Sequence, residues 1–169
     1  MFIRYAGVGI VALTLAGCAQ LEGLGQLVQP PRFEHDDTQP ADVRFVGPSV
    51  SRPLGGAAIR IWTRVSNPNS FGFTLGTLSG TLFLEGSRAA TADFPLGLPL
   101  GARQETVIPL DLSVNFSDLP GLADVARRAA RGEQLAYRLD GTIGVDAGRL
   151  GRPVFGPMTL LTGDLRTRR

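Results

Sequence analysis

The chain contains no lysine, and all seventeen of its basic side chains are arginine. It has one cysteine, Cys18, one histidine, His35, and one tryptophan, Trp62. A lone cysteine excludes an intramolecular disulfide, so a folded domain has to rely on its apolar core. The histidine heads the only histidine–carboxylate cluster, His35-Asp36-Asp37. Three consecutive residues in a stretch rich in glycine and proline do not supply three or four ligands at fixed geometry, so the cluster reads as a solvated charge run and no metal or other cofactor is expected. Nucleophilic catalysis requires a base held beside the nucleophile, and this histidine falls before the expected domain; the chain is not expected to be an enzyme. The formal charge is only +2 and the arginines are scattered, which argues against a nucleic-acid partner. Arginine without lysine is read as the mark of a GC-rich genome. Long apolar runs are missing as well: residues 5–15 are apolar for about a dozen positions, short of the roughly twenty that a spanning helix needs.

What the front of the chain has is a short basic start ending at Arg4, that apolar run, and small residues leading into Cys18, the order of an export signal over residues 1–17. Leu15-Ala16-Gly17-Cys18 resembles the lipobox of a bacterial lipoprotein. The resemblance implies cleavage before Cys18, lipidation of its thiol and acylation of the freed amine; more than one acyl chain makes a stable anchor. Ala19, where an aspartate would imply retention in the inner membrane, implies the periplasmic face of the outer membrane. Residues 18–40 read as a flexible tether, and 41–166 as the folded domain followed by a short tail, 167–169.

Within the domain, alternation recurs. Strands are expected over 42–51, 58–66, 77–84, 88–94, 105–116, 135–146 and 155–165, with Asn67-Pro68-Asn69 as a rigid corner after the second. Pro95–Gly101 is expected as a loop, and Pro109 marks an edge or a bulge. One helix is expected over about 118–131, capped by Ser117 or Asp118, with Pro120 in its first turn, an apolar stripe of Leu119, Leu122, Ala126 and Ala129, and Gly132 at its end. Arg127, Arg128 and Arg131 near its C-terminus suit the macrodipole. About seven strands and one short helix indicate an all-β antiparallel sandwich of the immunoglobulin or fibronectin III kind.

Val65-Ser66-Asn67-Pro68-Asn69-Ser70-Phe71, Leu82-Phe83-Leu84-Glu85-Gly86, Ile108-Pro109-Leu110 and Tyr137-Arg138-Leu139-Asp140-Gly141, in that order, resemble the LEA type 2 family, also called the water-stress and hypersensitive-response (WHy) domain. The resemblance covers about 41–165. It implies a β-sandwich and a stress-protective rather than catalytic role, and it carries over no catalytic residues.

Three functions follow as expectations. The first is a lipid-anchored envelope protein that protects or organises envelope components under desiccation or osmotic stress. The second is carriage of a lipid or another hydrophobic ligand, suggested by the 95–101 loop and by Phe83 and Leu161 on nominally outer faces. The third is an adaptor for another envelope protein, with Arg60, Trp62 and Arg64 as its contact patch; packing of the arginines over the indole is the competing structural account. The carboxylates Asp111 and Asp140 fall on outward strand positions, where solvated side chains are expected.

Overall fold

A computed structural model describes residues 27–116 and 123–165. The signal segment, Cys18 and the first part of the tether lie outside the described residues, as do Ser117 to Leu122 at the expected helix start and the tail. The elements run β1 (Arg32–His35), β2 (Asp42–Val46), β3 (Gly56–Ser66), β4 (Phe73–Leu84), β5 (Ser87–Leu100), β6 (Glu105–Asn115), α1 (Ala123–Ala130), β7 (Leu135–Asp146) and β8 (Val154–Leu165).

The eight strands form two antiparallel sheets. In the first, β3 pairs along its whole length with β6, while β1 and β2 share its other edge, β2 against residues 56–60 and β1 against residues 63–66. The second sheet has the order β5-β4-β7-β8. Alternation supplies the core: Ile59, Ile61, Thr63 and Val65 of β3 point inward, as do Leu78, Leu82 and Leu84 of β4 and Leu110, Leu112 and Val114 of β6. The all-β sandwich expected from the pattern is the fold observed.

Several local expectations are corrected. Residues 32–35 are not tether but strand, because the outer edge of β3 extends beyond the reach of β2 and offers backbone groups that need partners. Four residues are too few for a period to show. Val28 and Pro31 are buried as well, so the chain is part of the domain from Val28 onward. Residues 95–100 of the expected 95–101 loop belong to β5, and only Gly101 lies beyond it. Its prolines are compatible with a strand because β5 pairs only with β4, and Pro95 and Pro99 lack a donor that an edge does not require. β2 stops at Val46, before Pro48. Leu161, expected outside, is buried together with Leu160, because a register shift at Leu139/Asp140 turns two successive side chains inward.

Helix α1 is short, and Val125 and Ala129 are buried among its described side chains. It ends in a Schellman arrangement: Gly132, at φ 76°, donates from N to Ala129 O, and Glu133 N donates to Arg128 O. Arg128 reaches Glu85 at 2.8 Å and Glu133 at 3.0 Å, tying the helix end to the β4–β5 turn. No helix among the described residues is long and apolar enough to cross a membrane.

Candidate functional site

Two polar constructions stand out from the sandwich. The first is the corner at Asn67-Pro68-Asn69. Pro68 turns the chain out of β3, and the flanking asparagines are both buried. Asn67 Nδ2 donates to Phe71 O at 2.8 Å and Gly101 O at 2.9 Å, while its Oδ1 accepts from Asn69 N at 2.9 Å and Asn69 Nδ2 at 3.0 Å. Asn69 Nδ2 also donates to Gln29 O at 2.9 Å, and its Oδ1 accepts from Gln29 N at 2.8 Å. Asn67 N donates to Gln104 O, and Arg103 N donates to Asn69 O. The corner thus joins the end of β3, the β5–β6 turn and the entering chain, in a buried site where an unpaired amide costs about 1–3 kcal/mol.

The second is a groove on the outer face of the first sheet. Between β1 and β2 the chain leaves the edge of β3 and returns, and the excursion stands opposite Trp62. Asp36, at its base, is 1% exposed and donates its backbone N–H to Trp62 O at 3.0 Å. The Asp36 carboxylate accepts from Thr38 Oγ1 at 2.8 Å, from Gln39 Nε2 at 3.5 Å and from Arg64 Nη2 at 2.9 Å. The Thr38 hydroxyl bond, aided by the Thr38 backbone and Arg64, holds this carboxyl below its ordinary range against the opposing effect of burial. Asp36 was expected in a solvated run. Instead His35, Asp36 and Asp37 diverge: His35 points between the sheets, with Nδ1 3.2 Å from Tyr137 Oη, while Asp36 anchors the loop. The bonds from Thr38 and Gln39 are local, but Trp62, Arg64 and Tyr137 lie far along the chain, where spacing within the cluster does not point to them.

On the far side of Trp62, Arg60 makes a two-point pair with Asp111, Nε to Oδ1 at 2.6 Å and Nη2 to Oδ2 at 2.9 Å. The pair raises the pKa of the guanidinium and lowers that of the carboxyl. Arg44 Nε contacts Asp42 at 2.9 Å beside it. Arg60, Trp62 and Arg64 therefore share one face, and each of the two arginines is paired with a carboxylate, Asp111 and Asp36 respectively. Among the described residues neither arginine stacks on the Trp62 ring. A cation does stack elsewhere, with Arg138 4.6 Å from the centre of the half-buried Phe83 ring. The other outward carboxylate, Asp140, pairs with Arg138 and accepts from Thr159 Oγ1 at 2.8 Å.

The apolar end of the sandwich, where α1 closes over Val114, Leu135 and Leu165, leaves a space of about 20 Å³. That is room for about one water. An acyl chain would have to displace core side chains to enter.

Among the described residues, no three histidine, cysteine or acidic side chains are grouped so as to hold a metal. Thr63 Oγ1, on the inward face of β3, is a buried polar side-chain atom without a partner.

The family model for late embryogenesis abundant proteins (LEA_2) matches residues 63–158. Among solved structures, the fold is similar to the solution structure of an Arabidopsis thaliana protein, with a TM-score of 0.61 and 18% identity over 84% of this chain and 85% of that one. It is also similar to the solution structure of a protein described as late embryogenesis abundant, with a TM-score of 0.52 and 19% identity over 88% of this chain and 75% of that one. No curated protein sequence matches.

Proposed function

Because the chain belongs to the late embryogenesis abundant (LEA type 2) family, a stress-related family, we propose that it is a non-enzymatic lipoprotein of the bacterial envelope, protecting or organising envelope components under desiccation or osmotic stress. The anchored reading is supported by the lipobox-like Leu15-Ala16-Gly17-Cys18, and the grip of Asn69 on Gln29 sets how closely the domain would hang from that cysteine. It begins the folded domain only eleven residues along the chain from Cys18. Eleven residues of chain reach at most about 40 Å whatever their conformation, so a lipidated Cys18 would hold the corner end of the sandwich near the membrane surface. This is a tighter suspension than a tether reaching to residue 40 would give.

Two measurements test the reading. Cys18→Ser is expected to move the protein from the membrane fraction to the soluble fraction and to abolish incorporation of labelled fatty acid. A wild-type protein that incorporates no lipid overturns the anchor. Deletion of the gene is expected to make the envelope leak after drying or salt shock; unchanged integrity overturns the protective role.

A further inference from the structure

The groove over Trp62 is built in a way that neither family membership nor anchoring explains. Its floor and its loop wall precede the residues that match the family model. We propose that this groove binds a neutral saccharide.

Three features carry the proposal. The first is shape. The hollow beside Trp62, walled by Thr38, Gln39 and Pro40 on one side and by Asp42, Arg44 and Arg60 on the other, measures about 390 Å³. It continues into a smaller hollow of about 110 Å³ over Ala58, beside Asp111. The larger hollow is at the lower end of the roughly 300–1,000 Å³ of small-molecule sites, and is concave where a protein contact would be broad.

The second is charge. Arg60 is matched by Asp111, Arg64 by Asp36 and Arg44 by Asp42. An anion would have to compete with a carboxylate for every one of these guanidinium groups, and a cation with a guanidinium for each carboxylate. A ligand with hydroxyl groups does neither: it accepts from the remaining N–H positions and donates to the remaining carboxylate lone pairs while both pairs persist.

The third is the combination of a ring with fixed polar edges. The ring of Trp62 is partly buried on the sheet, and its Nε1–H makes no hydrogen bond within the described residues. The electron-rich face of an indole attracts polarised C–H groups, and a pyranose presents such a face with hydroxyls around its rim. The rim here is preorganised: the buried Asp36 fixes the loop bearing Thr38 and Gln39, and the two-point bond to Asp111 fixes Arg60.

Trp62 is the only tryptophan of the chain, so its fluorescence reports on this groove alone. The full chain in detergent is titrated with maltose and with a neutral N-acetylglucosamine disaccharide, with glycerol as a non-stacking polyol and digalacturonate as a charged counterpart. A saturable shift of Trp62 emission is expected with at least one neutral disaccharide, against only a linear drift with glycerol. Arg60→Gln is expected to weaken binding about tenfold, the loss of about 1.4 kcal/mol of hydrogen bonding. Asp111→Asn, which removes the carboxylate of the two-point pair from Arg60, is expected to shift preference toward digalacturonate. Three outcomes overturn the proposal: neutral disaccharides that act only as glycerol does, tighter binding of digalacturonate by the wild-type chain, or saturable binding that neither variant alters. The wild-type titrations decide the first two without any variant having to fold.

Discussion

The side-chain amide of Asn69 pairs with the backbone of Gln29 at both ends, Nδ2 donating to Gln29 O at 2.9 Å and Oδ1 accepting from Gln29 N at 2.8 Å. One side chain thereby does for the entering chain what a strand partner would do, and Asn67 holds Asn69 in place to do it.

The corner should consequently be far more sensitive at its asparagines than at its proline. Asn67→Ala removes the Nδ2 donor from the carbonyls of Phe71 and Gly101 and the acceptor from Asn69 N, and is expected to cost about 2–4 kcal/mol in chemical unfolding. Asn69→Ala is expected to cost about 1–3 kcal/mol and, in addition, to speed amide exchange over residues 28–35. Pro68→Ala loses mainly the restriction of the unfolded chain, about 0.4–1 kcal/mol, and should leave anchoring intact. Equal losses at Asn67 and Pro68 would show that the turn matters only as a rigid bend.

Acid should weaken the domain through identifiable groups. The carboxyls of Asp36, Glu85, Asp111 and Asp146 are all held below their ordinary values, first by Thr38, the Ala136 N–H, Arg60 and the Gly148 N–H respectively. A lowered folded-state pKa means stability that is complete above the unfolded value, about 4, and is lost as pH falls through the folded one. Urea midpoints should therefore be flat near neutrality and fall below about pH 4. Asp36→Asn should start lower and fall less steeply; a slope identical to wild type would mean that Asp36 is not among the groups responsible.

Alkali should act through Tyr137. Burial, with Asp164 and Asp37 nearby, pushes its phenol up to about 12. A raised folded-state value means that its stabilisation is complete below the unfolded value near 10 and is lost as pH rises from there toward about 12. Tyr137→Phe is expected to remove this alkaline loss. It also removes the contact with His35, at about 1 kcal/mol near neutrality. The same ring explains Gly163 on the neighbouring strand: a Cβ there would come within 2.8 Å of Tyr137 Cε1, so Gly163→Ala should destabilise by about 1–3 kcal/mol.

Thr63 offers a gain. Its hydroxyl oxygen is buried without a partner on the inward face of β3. Thr63→Val keeps the shape and β-branching while removing the unsatisfied group, and is expected to raise stability by about 1 kcal/mol. A loss in thermal or urea unfolding would show that the hydroxyl has a partner in solution.

What could be read without coordinates was whatever rests on alternation along one segment. A strand with one buried face repeats its apolar residues every second position, so Ile59 to Val65 and Leu78 to Leu84 declared their inward faces, and the sandwich followed from several such segments. The corner was visible for the same local reason, since proline and its asparagine neighbours restrict their own backbone. What tertiary structure alone decided was every feature whose partner is remote. The four residues of β1 became a strand because the edge of β3 was open to them. Asp36, otherwise bonded to its neighbours Thr38 and Gln39, met the guanidinium of Arg64 twenty-eight residues on. Arg60 found its carboxylate, Asp111, on the neighbouring strand fifty-one residues on. Local pattern encodes which way a side chain faces; only the pairing of strands determines what it meets there.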